Sequence, residues 1–339
     1  MKVYAPVQVR ALEQVGEQVR RAEALGYDGA TFSETVLDPF LSATLAAAYS
    51  QRLLLGTAIA LAFPRSPMTT AYMAWNLQRF SRGRFQLGLG TQVKGHNERR
   101  FSVPWLPPGP RMREYLGALK AIWACWQNSG PLTFRGQFYS FTLMTPEFNP
   151  GPIPYPPPSL YISAVNPYML RLAGEACDGV LLHPFTTRKY LEEVILPNLE
   201  AGAKKGDRRL KDLDISGGGF IVTGANQEEL QKEYEVTRRR IAFYASTRTY
   251  RPVLEVYGWG EVCDRLHEMS LRGQWAEMPR LITDEIMEAC CVVAPYHALA
   301  QRVRTRFGFY ATRVPLPLPD GRGEAEAQLG QVVQALKGL

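Results

Sequence analysis

The chain has 339 residues, of which 46% are hydrophobic and 21% are charged, so it can bury a large core and extended disorder is excluded. Its 39 basic and 32 acidic residues leave a net charge of +7, with the basic residues scattered along the chain. This distribution favours a solvated surface over nucleic-acid binding, and it suits an anionic cofactor or substrate.

The five cysteines form an odd set without Cys-x-x-Cys spacing or histidine-rich surroundings. This usage argues against a disulfide framework and against a zinc site, and it indicates a reducing compartment. The N-terminal residues show no signal peptide, and the most apolar run, residues 53–63, is too short to span a bilayer. We therefore expect a cytoplasmic protein with no metal and no membrane partner.

The first half of the chain alternates between strand and helix patterns. The helices are predicted from apolar residues that recur every three or four positions, and the strands from short apolar runs. The continuous apolar run that ends at residue 60 is typical of a strand buried on both faces of a parallel sheet. The predicted strands are 2–9, 30–33, 53–60 and 85–90, and the predicted helices are 12–25, 38–49, 67–80 and 111–127.

The alternation resumes after residue 158 and brings the number of predicted strands to eight. The later strands are 160–164, 180–182, 213–223 and 311–314, and the later helices are 167–177, 188–205, a long stretch at 226–305 and a C-terminal helix. Parallel strands need crossover helices, so this order predicts an α/β fold. Eight units favour a closed (β/α)₈ TIM barrel over an open doubly wound sheet.

Two segments are longer than the connections that a minimal barrel requires. We predict a single domain over residues 1–339 that includes both. Residues 131–158 contain eight prolines, a composition that predicts an ordered arm or lid. Residues 226–305 are predicted to be a helical insertion before the last strand.

Three side chains are candidates for catalysis because a barrel collects its chemistry at the carboxyl ends of the strands. Glu34 follows the second predicted strand, His96 lies shortly after the fourth and His183 follows the sixth. Carboxylates and imidazoles can act as general acids or bases. Each has a structural alternative, as a helix cap for Glu34 and as a packing residue for either histidine. No opposite charge adjoins Glu34 or His183 along the chain, so we expect burial to tune their pKa values.

Four further side chains are candidates for substrate binding. Lys94 and Arg188 lie just beyond predicted strand ends and could receive anionic groups. Tyr250 and Trp259 belong to an aromatic stretch that could line a substrate cavity, although packing between helices explains such residues equally well.

Several segments together carry a resemblance to a known family. Residues 22–28, 55–59, 65–67, 81–90 and 172–180 resemble, in order and spacing, the bacterial luciferase-like flavin and deazaflavin oxidoreductases. Residues 90–94, 183–187 and 243–247 resemble the F420-dependent subgroup of that family.

The resemblance implies a barrel that binds F420, or alternatively FMN, at its carboxyl face, with a non-prolyl cis peptide between Ala58 and Ile59. Two places depart from the family: Thr35 stands where many members have histidine, and Val165-Asn166-Pro167 stands where many have Gly-Gly-Pro or Gly-Pro. The implied cofactor contacts are Glu34, Ala58, Ile59, Gly90, Thr91, Gln92 and the strand end Ser163, Ala164, Val165 and Asn166.

The resemblance therefore predicts an oxidoreductase that transfers a hydride between F420 and a small organic substrate, in a protein that is commonly a homodimer. In such enzymes the cofactor carries the redox chemistry, while the protein supplies position, electrostatics and proton transfer. Two alternatives stay open: an FMN-dependent luciferase-like monooxygenase and a non-catalytic flavin-binding accessory protein.

Overall fold

The computed structural model describes residues 1–319, 321 and 323–338, and over these ranges the chain forms thirteen strands. Numbered β1 to β13 in chain order, they are Lys2–Pro6, Gly29–Phe32, Leu54–Thr57, Ala60–Leu61, Phe85–Gly90, Phe134–Arg135, Ser140–Phe141, Ser159–Ala164, Gly179–Leu182, Asp214–Ser216, Phe220–Val222, Cys291–Val293 and Arg313–Pro315.

The same ranges contain fourteen α-helices, of which α7 is a single turn followed by a π-helical segment, Leu191–Ile195. Within them, no helix combines the length and the apolar character needed to cross a membrane. Numbered α1 to α14 in chain order, the helices are Val15–Ala24, Pro39–Tyr49, Pro67–Phe80, Lys94–Arg99, Pro108–Asn128, Pro167–Ala176, Arg188–Tyr190, Leu196–Lys205, Gln227–Ala245, Arg251–Glu255, Gly260–Leu271, Asp284–Cys290, Tyr296–Phe307 and Glu324–Lys337.

Eight strands close into a parallel barrel in the order β1, β2, β3, β5, β8, β9, β10 and β13. The ring closes because β13 pairs with β1 in parallel, with Val3 opposite Val314, and because β3 pairs with β5, with Leu55 opposite Phe85. The predicted (β/α)₈ barrel is confirmed. Since the strands are parallel, their carboxyl ends all open on one face of the barrel.

A charged side chain lies inside the amino end of the barrel. Arg313 is 3% exposed, and its guanidinium lies 4.6 Å from the ring centre of Tyr4 and 4.4 Å from that of Tyr161. It donates to Gln86 Oε1 at 2.8 Å and lies 3.8 Å from the carboxylate of Asp214. Cation–π contacts and a paired carboxylate compensate the loss of water around this buried charge.

The single strand predicted over residues 213–223 is wrong, because the structure divides it into β10 and β11. Three consecutive glycines, residues 217–219, separate the two strands, and Gly219 has φ +135°, a conformation open mainly to glycine. Strand β11 leaves the barrel and pairs in parallel with β12, with Ile221 opposite Val292. Strand β12 therefore interrupts the helical stretch predicted over residues 226–305, and helices α9 to α13 replace one long helical run.

The proline-rich segment 131–158 packs against α3 and α5. It contains the antiparallel pair β6–β7. Trp75 Nε1 donates to Gly151 O at 3.1 Å, and Gln78 Nε2 donates to Pro156 O at 2.8 Å. The Glu114 carboxylate accepts from successive backbone amides of residues 137–139. These bonds satisfy backbone groups that the prolines leave without regular secondary-structure partners.

Candidate active site

The segment just after β2 is hydrogen-bonded to residues 58 and 59, which lie between β3 and β4. Glu34 N donates to Ile59 O at 3.1 Å, and Ser33 Oγ donates to Ala58 O at 3.0 Å. The peptide between Ala58 and Ile59 is cis, as predicted. The chain resumes as β4, whose Leu61 N donates to Glu34 Oε2 at 2.8 Å. Glu34, Ala58 and Ile59 therefore form one connected unit at the mouth of the barrel.

The Glu34 carboxylate pairs with a cation, Arg65, which is not its neighbour in the sequence. Arg65 Nη1 lies 2.7 Å from Oε2 and 3.0 Å from Oε1, and Arg65 Nη2 lies 2.6 Å from Asp38 Oδ2. Burial acts to lower the pKa of Arg65, but its hydrogen bonds with Glu34 and Asp38 raise that pKa above the usual value. Arg65 lies 31 positions from Glu34 in the sequence, and the fold brings the two side chains together.

Gly90, at the end of β5, lies where no side chain fits without movement. A Cβ placed on it would lie 2.6 Å from Ile59 Cδ1 and 3.0 Å from Ser163 Oγ. Three neighbouring strand ends therefore meet at Ile59, Gly90 and Ser163. Together with Ala58 and Ala164 they surround this part of the mouth with backbone and mostly small side chains.

The segment after β5 contains a buried polar residue, Asn97. Asn97 Nδ2 donates to Thr91 O at 2.9 Å and to Val93 O at 3.1 Å, which holds the loop through Gln92, a residue with φ +56°. Asn97 Oδ1 is buried and has no hydrogen-bond partner within residues 1–319, 321 and 323–338. Asn97 follows a barrel strand end, where functional residues are expected, but its burial among exposed neighbours follows only from the fold.

The strand end at Ala164, Val165 and Asn166 leads directly into the N-terminus of α6. Asn166 occupies the N-cap position, yet its side chain makes no capping hydrogen bond. Val165 O accepts from Tyr190 Oη at 3.0 Å, and burial raises the pKa of Tyr190 to about 12, so this hydroxyl stays protonated. Unpaired amides at the first turn of a helix attract anions such as phosphate.

His183 follows β9 and has a defined tautomer. Phe185 N donates to His183 Nδ1 at 3.0 Å, so Nδ1 is an acceptor and a neutral imidazole carries its proton on Nε2. Burial lowers the pKa of His183 to about 4, so the ring is neutral at pH 7. Within the described part of the chain no protein acceptor binds Nε2, which leaves this N–H available to a ligand.

Two tyrosines pack on the His183 ring. Tyr250, a predicted substrate-binding residue, lies 4.6 Å from it between ring centres, and Tyr244 lies 4.5 Å away in edge-to-face contact. Burial raises the pKa of Tyr250 to about 12. The sequence analysis noted Tyr244 only as part of the aromatic stretch, because which face of α9 meets the barrel depends on tertiary packing.

Four predicted residues are not joined to these clusters. The ring of His96 is exposed on α4 and makes no hydrogen bond within the described ranges, and Lys94 lies 4.0 Å from Glu98. The remaining two have surface partners: Arg188 pairs with Glu192 at 2.8 Å, and Trp259 stacks on Tyr257 at 4.5 Å. Their assigned roles stay predictions.

The described residues contain no group of three or more His, Cys, Asp or Glu side chains arranged to hold a metal ion. The polar groups at the mouth are instead amide, hydroxyl, imidazole and paired carboxylate groups. Such groups suit an organic ligand bound through hydrogen bonds.

Comparisons with known proteins agree with this geometry. An uncharacterized protein of Mycobacterium tuberculosis is 45% identical over 296 residues, which cover 87% of each chain. The F420-dependent glucose-6-phosphate dehydrogenase of Beutenbergia cavernae is 35% identical over 182 residues, which cover 52% of this chain and 51% of that protein. The solved structure of the coenzyme F420 dependent tetrahydromethanopterin reductase from Methanopyrus kandleri superposes with a TM-score of 0.79 at 20% identity, over 99% of this chain and 98% of that one.

The family comparison covers nearly the whole barrel. The profile of the luciferase-like monooxygenase family matches residues 2–313, which run from the first barrel strand to the start of the last. The resemblance seen in the sequence is confirmed. The chain belongs to the luciferase-like monooxygenase family.

Proposed function

We propose that the protein is an oxidoreductase that exchanges a hydride between the deazaflavin F420 and a small organic substrate. The observation that carries this proposal is the surface formed by Ala58–Ile59, Gly90 and Ser163, beside the uncapped N-terminus of α6. A planar ring packs against backbone and small or apolar side chains, and a phosphate needs backbone amides, so the two features suit the two ends of one cofactor.

The residues at the mouth fit such a cofactor chemically. Asn97 Oδ1 is a buried acceptor without a partner in the described ranges, and Asn166 leaves the first turn of α6 uncapped. A net charge of +7 favours an anionic ligand of any kind. When bound, the deazaflavin supplies or accepts the hydride, which is chemistry that no side chain of this chain provides.

The chain's own residues would position groups and bind the reacting oxygen. Glu34 accepts from Leu61 N and from Arg65, so it holds the turn that contains Ile59 and acts as a positioning residue. His183 offers Nε2–H, a neutral donor suited to a carbonyl or alkoxide oxygen. Because its other nitrogen is already an acceptor for Phe185 N, the ring has no free site at which to take up a proton.

The test is a titration of the purified protein with F420 and with FMN, followed by anaerobic turnover. We expect F420 to bind more tightly than FMN. Gly90→Ala should weaken F420 binding about tenfold, because overpacking a close contact costs about 1–3 kcal/mol. Gly130→Ala is the matched control, since a Cβ there meets nothing within 4 Å.

Two results would replace this proposal. Equal or tighter binding of FMN, with oxygen-dependent turnover of reduced FMN, would establish the monooxygenase alternative. Tight binding of either cofactor with no turnover on any carbonyl or alcohol would favour an accessory protein.

A further inference from the structure

A row of aromatic rings runs from His183 to the protein surface. Tyr244 lies 4.5 Å from the His183 ring, Phe243 lies 5.4 Å from Tyr244, and Trp275 lies 6.1 Å from Phe243. Tyr250 contacts both His183, at 4.6 Å, and Tyr244, at 5.9 Å. We call these four side chains, Phe243, Tyr244, Tyr250 and Trp275, the aromatic row.

The outer end of the aromatic row is unusually exposed. Phe243 is 52% exposed and Trp275 is 51% exposed, although both rings are large and apolar. Two adjacent exposed aromatic rings that continue into a reactive mouth are typical of a binding surface, because burying them in contact with a ligand is favourable.

Within the described ranges, the rings of the aromatic row have no cation–π contact. In the described part of the chain, lysine or arginine groups lie over ten other aromatic rings, but none lies over a ring of the aromatic row. The pairs within the row are edge-to-face or tilted, the arrangements that aromatic rings prefer. A further aromatic ring can pack in the same way, whereas no cation over these rings would pair with an anionic group.

Resting on the proposed function, we propose that the substrate is an aromatic ketone whose oxygen accepts a hydrogen bond from His183 Nε2–H and whose ring packs against the aromatic row. The carbonyl carbon gains the hydride from the reduced deazaflavin, which is oxidised, and the carbon–oxygen π pair becomes a lone pair on oxygen. That oxygen then takes a proton from solvent water, giving a secondary alcohol. His183 keeps its own proton throughout, because losing it would leave an imidazolate.

The first experiment measures binding without reaction, using the protein with oxidised F420, which has no hydride to give. Acetophenone and cyclohexyl methyl ketone have the same number of carbon atoms, and only the first is aromatic. By calorimetric titration we expect acetophenone to bind more tightly. Phe243→Ala and Trp275→Ala should each reduce that preference about 2- to 10-fold, because an aromatic pair contributes about 0.5–1.5 kcal/mol.

The matched control is Phe80→Ala. Phe80 is 55% exposed, close to the 52% of Phe243, but it ends α3 just before the amino end of β5, at the opposite face of the barrel. This variant should leave the preference for acetophenone unchanged. A turnover assay with reduced F420 should give the same order of kcat/KM for the two ketones.

The outcomes separate this inference from the proposed function. Binding of F420 with equal affinity for the two ketones, or with a preference that Phe243→Ala does not change, overturns the aromatic substrate and leaves the F420 assignment intact. Acetophenone binding that depends on Phe243 and Trp275 in a protein that does not bind F420 supports the aromatic site and overturns the proposed cofactor. Loss of all ketone binding in His183→Ala, with F420 affinity retained, supports the assigned hydrogen bond.

Discussion

Arg65 binds both oxygens of the Glu34 carboxylate, with Nη1 2.7 Å from Oε2 and 3.0 Å from Oε1. The carboxylate also accepts from Leu61 N at 2.8 Å, so it links β2 to the turn that contains the cis peptide. Three hydrogen bonds therefore hold the Glu34 carboxylate, two on Oε2 and one on Oε1, and its role as an acid or base stays a prediction. Its position next to Ile59 makes it part of the cofactor surface that we propose.

Removing the charge of Arg65 should lower stability and cofactor affinity together. Arg65→Met leaves the largely buried Glu34 carboxylate without its cation, and breaking such a pair from one side costs about 3–5 kcal/mol. Because Arg65 also reaches Asp38 and is not fully buried, we expect a loss near the lower end of that range. Chemical denaturation and F420 titration measure the two effects.

A double variant tests whether Glu34 and Arg65 act as one unit. Glu34→Gln with Arg65→Met should cost less than the sum of the two single changes, because both remove the same interaction. Glu98→Gln is the control, since its contact with Lys94 is exposed and 4.0 Å long. Strict additivity of the two losses would show that the pair does not act as a unit.

Changing His183 should lower turnover more than cofactor affinity. His183→Asn keeps a polar side chain but alters the position of the donor, and a positioned hydrogen bond of this kind contributes about 10²–10³-fold in rate. Single-turnover hydride transfer and F420 titration measure the two quantities. An unchanged rate in a stably folded variant would assign His183 to packing with Tyr250 alone.

The stability of the protein should depend on pH through His183. Its folded pKa is lowered to about 4 by burial, against about 6.5 in an unfolded chain. The unfolded state therefore binds more protons between these values, and the folded state loses stability as pH falls from about 6.5 to about 4. Denaturation curves across this window should show a smaller pH dependence for His183→Asn than for the unmodified protein. An NMR titration of the His183 ring with a midpoint near 6.5 would contradict the assignment.

Arg313 should be needed for folding but not for cofactor binding. Arg313→Ala removes the cation between Tyr4 and Tyr161 and leaves Asp214 without it, for an expected loss of about 3 kcal/mol in the free energy of unfolding. The affinity for F420 should be unchanged, because Arg313 and its partners lie at the amino end of the barrel, away from the proposed cofactor surface. Arg302→Ala, at an exposed position, should stay within about 0.5 kcal/mol of the unmodified protein. A large loss of F420 affinity in folded Arg313→Ala would contradict the prediction that Arg313 contributes to stability and not to cofactor binding.

Local pattern was sufficient to predict the barrel and the boundaries of several elements. The helix Pro67–Phe80 and the strand Phe85–Gly90 begin and end where periodicity, a proline and a turn predicted. The rule that chemistry gathers at the carboxyl ends of barrel strands selected Glu34, and the family resemblance implied Ile59, Gly90 and Ser163; these four residues do meet in space. These predictions succeeded because backbone geometry repeats over a few residues and because parallel strands share one direction.

The contacts that define the chemistry depend on distances that no local pattern contains. Arg65 reaches Glu34 across 31 positions, and the rings of Tyr244 and Tyr250 reach His183 from more than sixty positions away. The aromatic row takes its side chains from α9 and from segments beyond it, and it meets His183 in the loop after β9. Periodicity predicts which side of an element is apolar. Only the closed barrel, and the packing of the helical insertion 226–305 against it, determine which side chains from distant segments come within hydrogen-bonding or ring-contact distance.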